Sequence, residues 1–224
     1  MKQLNEYVIV SDFDGTISLE DSNYNLVLMC GNAGNMKIEE DFLAGKVSNR
    51  EAFEQHFDVM RISLSEYENF IRTNINIDPT FDEFLEYVHT SNIPLFILSA
   101  GFRQGIEYVM GEERLKGVEV LANDLSGAPH ISPTFATKNP NCNKKHGPCG
   151  NCKRECIETI RKDSGKKIIF IGDGITDRCA IENADIVYAK DSLAERCDEQ
   201  GIAYTPYNNF ADVMNHLAQM ATMP

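Results

Sequence analysis

Basic residues are scarce in this chain. Its 224 residues carry 21 Lys or Arg against 34 Asp or Glu, a formal net charge of −13. Nucleic-acid affinity comes mainly from basic groups neutralising phosphates, so no nucleic acid and no anionic membrane surface is expected as a partner. Long apolar runs are missing as well. Pro94 to Ala100 is the longest late stretch, and it is far too short to span a bilayer. The polar start from Met1 to Glu6 is followed only by Tyr7-Val8-Ile9-Val10 before Ser11-Asp12, which leaves no room for a signal-peptide core. A cytoplasmic protein is expected. There is no internal repeat and no low-complexity tract, and nothing in the sequence fixes an oligomeric state. The seven cysteines are an odd number, and without an export signal they read as reduced thiols rather than a disulfide framework. Four cluster at Cys142, Cys149, Cys152 and Cys156; Cys30, Cys179 and Cys197 read as small core fillers.

The rest of the composition is that of a globular protein, with 42% apolar and 25% charged residues. At this length one domain is expected, or one domain carrying an inserted subdomain. Short β-branched runs at Tyr7 to Ser11, Pro94 to Ser99, Lys167 to Gly172 and Asp185 to Ala189 read as buried strands of a parallel sheet. Phe81, Phe84, Leu85 and Val88 lie at helical spacing behind Asp78-Pro79, which predicts a helix feeding the second strand. Strands alternating with helices imply an α/β fold with a doubly wound, Rossmann-like parallel sheet. From Ile17 to Ile77 the alternation stops. Ala52, Phe53, His56, Phe57 and Met60 make one helical face and Leu64, Tyr67, Phe70, Ile71 and Ile75 nearly another. The expected division is a core of residues 1–16 and 78–224 with a helical subdomain at 17–77. That subdomain starts outside the carboxyl end of a strand, where open α/β sheets bind ligands. Residues 118–150 read as a strand, a hairpin at Ala128 to Phe135 and a Cys-rich loop inserted in the core.

Two carboxylate pairs carry the chemistry. Asp12 and Asp14 follow the first apolar run in Asp12-Phe13-Asp14-Gly15-Thr16, and alternate strand residues share a face. Alone, this pattern also describes a strand end and an Asp-Gly turn. The second pair tips the balance: Asp173 and Asp177 in Gly172-Asp173-Gly174-Ile175-Thr176-Asp177 follow the strand at Lys167. Four carboxylates at the ends of two strands suit a hard divalent cation such as Mg2+, which is commonly shared with a substrate phosphate. Ser99, Ala100 and Gly101 offer a hydroxyl and backbone N–H groups to phosphoryl oxygens, although Ser99 would also serve as a helix cap. Lys153 opens a helix about 20 residues before Asp173. Lys166 and Lys167 are nearer in sequence, but they open the strand and lie roughly 20 Å from its far end. Charge is also uneven: 138–167 holds nine Lys or Arg against three acids, and 17–78 holds five against eleven.

These residues, in this order and spacing, resemble the four motifs of the haloacid dehalogenase superfamily of aspartate-nucleophile phosphatases. The segment 17–77 resembles the C1 cap of the branch that contains phosphoserine phosphatase. The resemblance implies a strand order of 3-2-1-4-5. It implies that Asp12 is the nucleophile, that Asp14 is the acid and base, and that Mg2+ is held by Asp12, the Asp14 carbonyl and Asp173 with support from Asp177. Ser99 and Lys153 would then bind the phosphoryl oxygens. Asp21 stands where phosphoserine phosphatases carry an acid that reads the substrate amine; as a plain alternative, it caps the first helix of the insert. Leu98 to Phe102, the Cys-rich loop and the stretch from Ala189 to Tyr207 are similar to the methionine-salvage branch, which acts on a ketose phosphate. A related branch acts on phosphoethanolamine and phosphocholine. The expected partner is a small phosphorylated metabolite. Phosphoryl transfer to an organic hydroxyl would use the same residues, whereas a mere phosphate- or metal-binding protein would need no nucleophile. Cys142, Cys149, Cys152 and Cys156, with His146, have the ligand types for a structural Zn2+, but their spacing departs from paired knuckles, and reduced thiols beside the active site are the favoured reading. His56 is expected to be a satisfied buried histidine.

Overall fold

Tyr7–Ser11 is buried throughout and forms β1. Alternate side chains of a strand face opposite ways, and here both faces are covered. Tyr7 and Ile9 join one core cluster, and Val8 and Val10 join another. Each fully buried Val or Ile contributes roughly 1.5–3 kcal/mol of transfer free energy. That is why the run reads as continuous apolar sequence rather than as an alternation. The computed structural model describes residues 4–137 and 148–222.

After β1 come α1 (Ser22–Cys30), α2 (Ala33–Leu43), α3 (Asn49–Met60) and α4 (Leu64–Asn74). Helices α3 and α4 begin with capping boxes. Ser48 with Glu51, and Ser63 with Glu66, satisfy backbone donors reciprocally. The chain then runs through α5 (Phe81–Thr90), β2 (Leu95–Phe102), α6 (Arg103–Leu115), β3 (Val118–Ser126) and β4 (Ser132–Thr134). It continues with α7 (Lys153–Ser164), β5 (Lys167–Gly172), α8 (Arg178–Ile181), β6 (Ile186–Ala189), α9 (Asp191–Gln200), β7 (Thr205–Pro206) and α10 (Phe210–Thr222).

The sheet order is β4-β3-β2-β1-β5-β6-β7. All neighbours pair in parallel except β3 with β4. Its middle reproduces the expected 3-2-1-4-5 order, with one short strand added at each edge. Phe81, Phe84, Leu85 and Val88 of α5 all pack into one face of the sheet, beside Phe210, Val213 and Leu217 of α10. Helices α7, α8 and α9 cover the other face.

Three details depart from the sequence reading. Val118–Ser126 belongs to the central sheet, and the hairpin pairs it with Ser132–Thr134 across the turn, rather than folding Ala128 to Phe135 on itself. Cys30 is exposed, because the last turn of α1 points outward with Leu28 and Met29; of the three expected core cysteines, Cys197 is buried and Cys179 is half-buried. Ser99 is no helix cap, since α6 starts at Arg103 and its capping position is Phe102.

The residues between Ser18 and Ile77 leave and rejoin the sheet side by side. Those two residues form an isolated antiparallel bridge. Leu19 N donates to Asn76 O, and Asp78 N donates to Ile17 O, both at 2.9 Å. Above them Phe102 stacks edge-on against Phe53 at 4.9 Å and Phe57 at 5.3 Å. A third apolar cluster thus joins the helical segment to the ends of β2 and β3.

Candidate active site

Beyond Ser11 the chain stays paired for one more residue, with Asp12 N donating to Ile171 O at 2.9 Å. This fixes Asp12 at the sheet edge, where its side chain is 5% exposed. Gly15 then turns with φ +75, and a Cβ there would collide with the Asp173 carboxylate, so the close approach of the two loops requires glycine. Thr16 Oγ1 donates to Asp173 Oδ1 at 2.8 Å. The Asp177 Oδ2 atom accepts the backbone N–H groups of Asp173 and Gly174, each at 3.1 Å.

Lys153 opens α7 and reaches into this cluster. Its Nζ lies 2.6 Å from Asp12 Oδ1 and 2.5 Å from Asp177 Oδ1. Lys167, by contrast, is exposed and pairs with Glu6 at the opposite end of the strand. Burial alone would lower the Lys153 pKa, but Asp12 and Asp177 outweigh it and hold the ammonium above the ordinary lysine range. Burial drives Asp12 well above the usual carboxylate value, Asp177 adds to this, and Lys153 opposes it. Burial and the Asp177 charge push Asp173 up to about 7. The ligand atoms of Asp12, Asp173 and Asp177 all lie within 4.8 Å of one another. Three carboxylates against one ammonium leave an excess of negative charge out of water, which a hard oxygen-seeking dication offsets. The donor set fits magnesium.

Asp14 faces elsewhere. Its Oδ1 accepts from Ser22 N at 2.8 Å and from the Ser22 hydroxyl, and its Oδ2 is 3.3 Å from Asn23 Nδ2 and 3.4 Å from Ser99 Oγ. Burial raises its pKa, and the Ser22 bonds counteract that. Asp14 is therefore held by the first turn of α1 and by Ser99, on neutral donors. Regular pairing of β2 with β3 breaks between Leu98 and Phe102, at the turn where Ser99 Oγ accepts from Gly101 N at 2.8 Å. Two asparagines clamp that turn. Asn151 Nδ2 donates to Ser99 O at 2.9 Å, and Asn123 Nδ2 donates to Ala100 O at 2.7 Å. A Cβ on Gly101 would sit 2.8 Å from Asp14 Oδ2.

Asp12, Asp173, Asp177 and Lys153 are thus brought together, and Asp14 meets Ser99 beside Gly101. Asp21 lines the same cavity and also caps α1, accepting from Asn23 N and Tyr24 N at 2.9 Å. Cys142 and His146 lie outside the described residues. Cys152 is buried next to Lys153, Cys156 Sγ donates to Asn151 Oδ1 at 3.4 Å, and Cys149 lines a second cleft. Among the described residues, no cysteine belongs to a cation-holding group. His56 is buried, with Asn35 Nδ2 at 3.3 Å from Nδ1 and Glu39 at 3.4 Å from Nε2. Sequence reasoning missed Ser22, Asn23, Asn123 and Asn151. No periodicity marks them, and their partners are set by how α1 and the loop before α7 fold back.

A cavity of about 310 Å³ lies over the carboxylates. The sheet side supplies Asp12, Asp14, Gly101 and Asp173; the helical side supplies Leu26, Phe42, Phe53, Phe57 and Met60. None of its described lining residues is Lys or Arg. No described helix is long and apolar enough to cross a membrane.

The family model of haloacid dehalogenase-like hydrolases matches residues 9–182, a span that contains all four carboxylates and Lys153. A 2-hydroxy-3-keto-5-methylthiopentenyl-1-phosphate phosphatase from Bacillus mycoides is 29% identical over 95% of this chain and 96% of its own length. A protein named Pdp3-interacting factor 1 from Schizosaccharomyces pombe is 27% identical over 98% of both chains. Among solved structures, phosphoserine phosphatase from T. onnurineus superposes with a TM-score of 0.69 at 16% identity, covering 100% of this chain and 98% of that one, which shows a shared fold. The chain therefore belongs to the haloacid dehalogenase-like hydrolases.

Proposed function

We propose that the protein hydrolyses a small phosphate monoester through an aspartyl-phosphate on Asp12, with Asp14 as acid and base. The observation that carries this reading is the separation of the two carboxylates. Asp12 is tied to Lys153, whereas Asp14 is turned toward Ser22, Asn23 and Ser99. Burial raises both carboxyls, so their partners distinguish them: Asp12 beside the Lys153 ammonium suits the nucleophile, and Asp14 on the neutral donors of Ser22, Asn23 and Ser99 suits the acid and base. In the first step a bond forms between Asp12 and phosphorus, the ester P–O bond breaks, and Asp14 delivers a proton to the leaving oxygen. In the second, Asp14 takes a proton from water, which displaces Asp12 and releases inorganic phosphate. Lys153, Ser99 and the N–H groups near Gly101 neutralise and orient the phosphoryl oxygens, the chief source of catalysis in such transfers. Asp12, Asp173 and the Asp14 carbonyl, supported by Asp177, would hold Mg2+, which when bound supplies positive charge to those oxygens.

The residues 17–77 act in this reading as a cap whose walls choose the leaving group. Among the described residues the wall is largely apolar and carries no Lys or Arg, which suits an uncharged alcohol better than the carboxylate of phosphoserine. The ketose phosphate of the Bacillus relative's name is accordingly the first substrate to try. Asp21 and Glu39 on the cavity wall favour phosphoethanolamine or phosphocholine as second choice.

The test is release of phosphate from p-nitrophenyl phosphate by the wild type and by Asp12→Asn, with magnesium and with chelator, followed by a panel of these metabolites. Turnover only with magnesium and intact Asp12 is expected. Turnover retained in Asp12→Asn would remove the nucleophile assignment.

A further inference from the structure

Two openings of opposite charge adjoin at the phosphoryl-binding groups. The cavity over the carboxylates is lined by Asp12, Asp14, Asp21, Glu39 and Asp173 and, among the described residues, by no Lys or Arg. A second cleft of about 220 Å³ is lined by Lys153 and Arg178 and, among the described residues, by no Asp or Glu. The two share Phe42, Leu43, Asn49, Ala100, Ile175 and Thr176, so they meet along one seam. Lys153 and Ala100, both assigned above to the phosphoryl oxygens, lie on the second cleft. Arg178 is the first residue of α8 and is half-buried. The chain carries a net charge of −13, so an arginine seldom lacks a carboxylate, and seven of the nine form ion pairs. The other two are Arg61, which is exposed, and Arg178. Arg178 has no hydrogen bond or ion pair among the described residues, and residues 138–147, which precede Pro148 of the cleft in the chain, include no Asp or Glu. A guanidinium partly withdrawn from water with no anion beside it is stabilised by an anion that enters.

We infer that the second cleft is an oxyanion site in which Arg178 receives inorganic phosphate as Lys153 gives it up. This rests on the proposed phosphatase chemistry and goes beyond it, because the two products then leave by different openings. The alcohol departs through the largely apolar cavity. A phosphate dianion taking that way would pass Asp14, Asp21 and Glu39, each an acceptor of the wrong charge. Through the second cleft it meets no described carboxylate and ends on a guanidinium, whose parallel N–H donors match phosphate oxygens.

The probe is inorganic phosphate, used as an inhibitor of p-nitrophenyl phosphate hydrolysis by the magnesium-loaded protein. Phosphate bound only at Lys153 competes with substrate and changes the slope of a double-reciprocal plot alone. Phosphate that also enters the second cleft while the active site is occupied raises the intercept as well. The wild type is expected to show both effects. Arg178→Met should weaken the intercept constant by about tenfold or more, and Arg178→Lys by less, while the slope constant moves by less than about threefold. Purely competitive inhibition in the wild type, or an unchanged intercept constant in Arg178→Met, overturns the inference. Equilibrium dialysis of radiolabelled phosphate against Asp12→Asn reads the site without turnover: a second bound phosphate is expected, and it should be absent from Asp12→Asn/Arg178→Met. If the wild type turns over no ester and this second phosphate is still found, the phosphatase reading fails and the anion site stands. Turnover without any phosphate that depends on Arg178 strikes the anion site alone.

Discussion

Replacing Lys153 by Met should reveal how much the buried ammonium contributes to both fold and chemistry. The side chain fits the same volume, but the positive charge 2.6 Å from Asp12 and 2.5 Å from Asp177 is gone. Those side chains are 5% and 0% exposed, so water cannot replace the lost partner. Breaking a buried ion pair from one side costs about 3–5 kcal/mol. For a protein of this size 1 kcal/mol corresponds to about 2–4 °C in Tm, so melting should fall by roughly 6–20 °C in chelator. The fall should be smaller in excess magnesium, because a bound cation stabilises the same carboxylates. Loss of one fixed charge at the phosphoryl oxygens should lower kcat by about 10²–10³. The double variant Lys153→Met/Asp177→Asn should recover part of the stability, since it removes one of the two stranded carboxylates, while turnover stays low. Differential scanning calorimetry and p-nitrophenyl phosphate hydrolysis read both quantities. A Tm within 2 °C of wild type in chelator, or a loss in kcat below about tenfold, would refute the account of Lys153 as a buried clamp.

Other substitutions probe the supporting shell. Thr16→Val removes the hydroxyl that orients Asp173 at 2.8 Å, and the magnesium concentration for half-maximal activity should rise about 10–100-fold with little change in Tm. Asp21→Ala deletes the cap of α1, and urea unfolding should show a loss of about 0.5–2 kcal/mol. No change in stability would mean that Asp21 serves the cavity alone.

Strands buried on both faces were the most legible part of the sequence. Tyr7–Ser11 and Lys167–Gly172 coincide with their apolar runs because, the exposed Lys167 apart, the side chains on both faces of each strand are buried. β7 has two residues, and only its pairing with Tyr188 and Ala189 makes it a strand, so nothing local announces it. The carboxylates were legible for a related reason: a strand end delivers Asp12 and Asp173 to the sheet edge whatever the loops do. Ser22 and Asn23 acquire their roles only when α1 folds back over Asp14, and Asn151 only when the loop before α7 reaches Ser99, 52 residues away; no helical or strand periodicity marks either. Cys30 misled because small apolar residues are usually buried, and here the end of α1 turns outward.

The bridge between Ser18 and Ile77 has an evolutionary consequence. Four helices hang from two adjacent backbone positions, so the distance between their points of attachment is set by the bridge and not by what lies between them. Loop-closure entropy grows only slowly with length, so that intervening stretch can be lengthened, shortened or exchanged at small thermodynamic cost. The register of β1 against β5, and with it the relation of Asp12 to Asp173, would be untouched. A lineage can therefore rewrite the walls beyond the first turn of α1, whose Ser22 and Asn23 hold Asp14, without re-solving how Asp12, Asp173 and Asp177 are brought together.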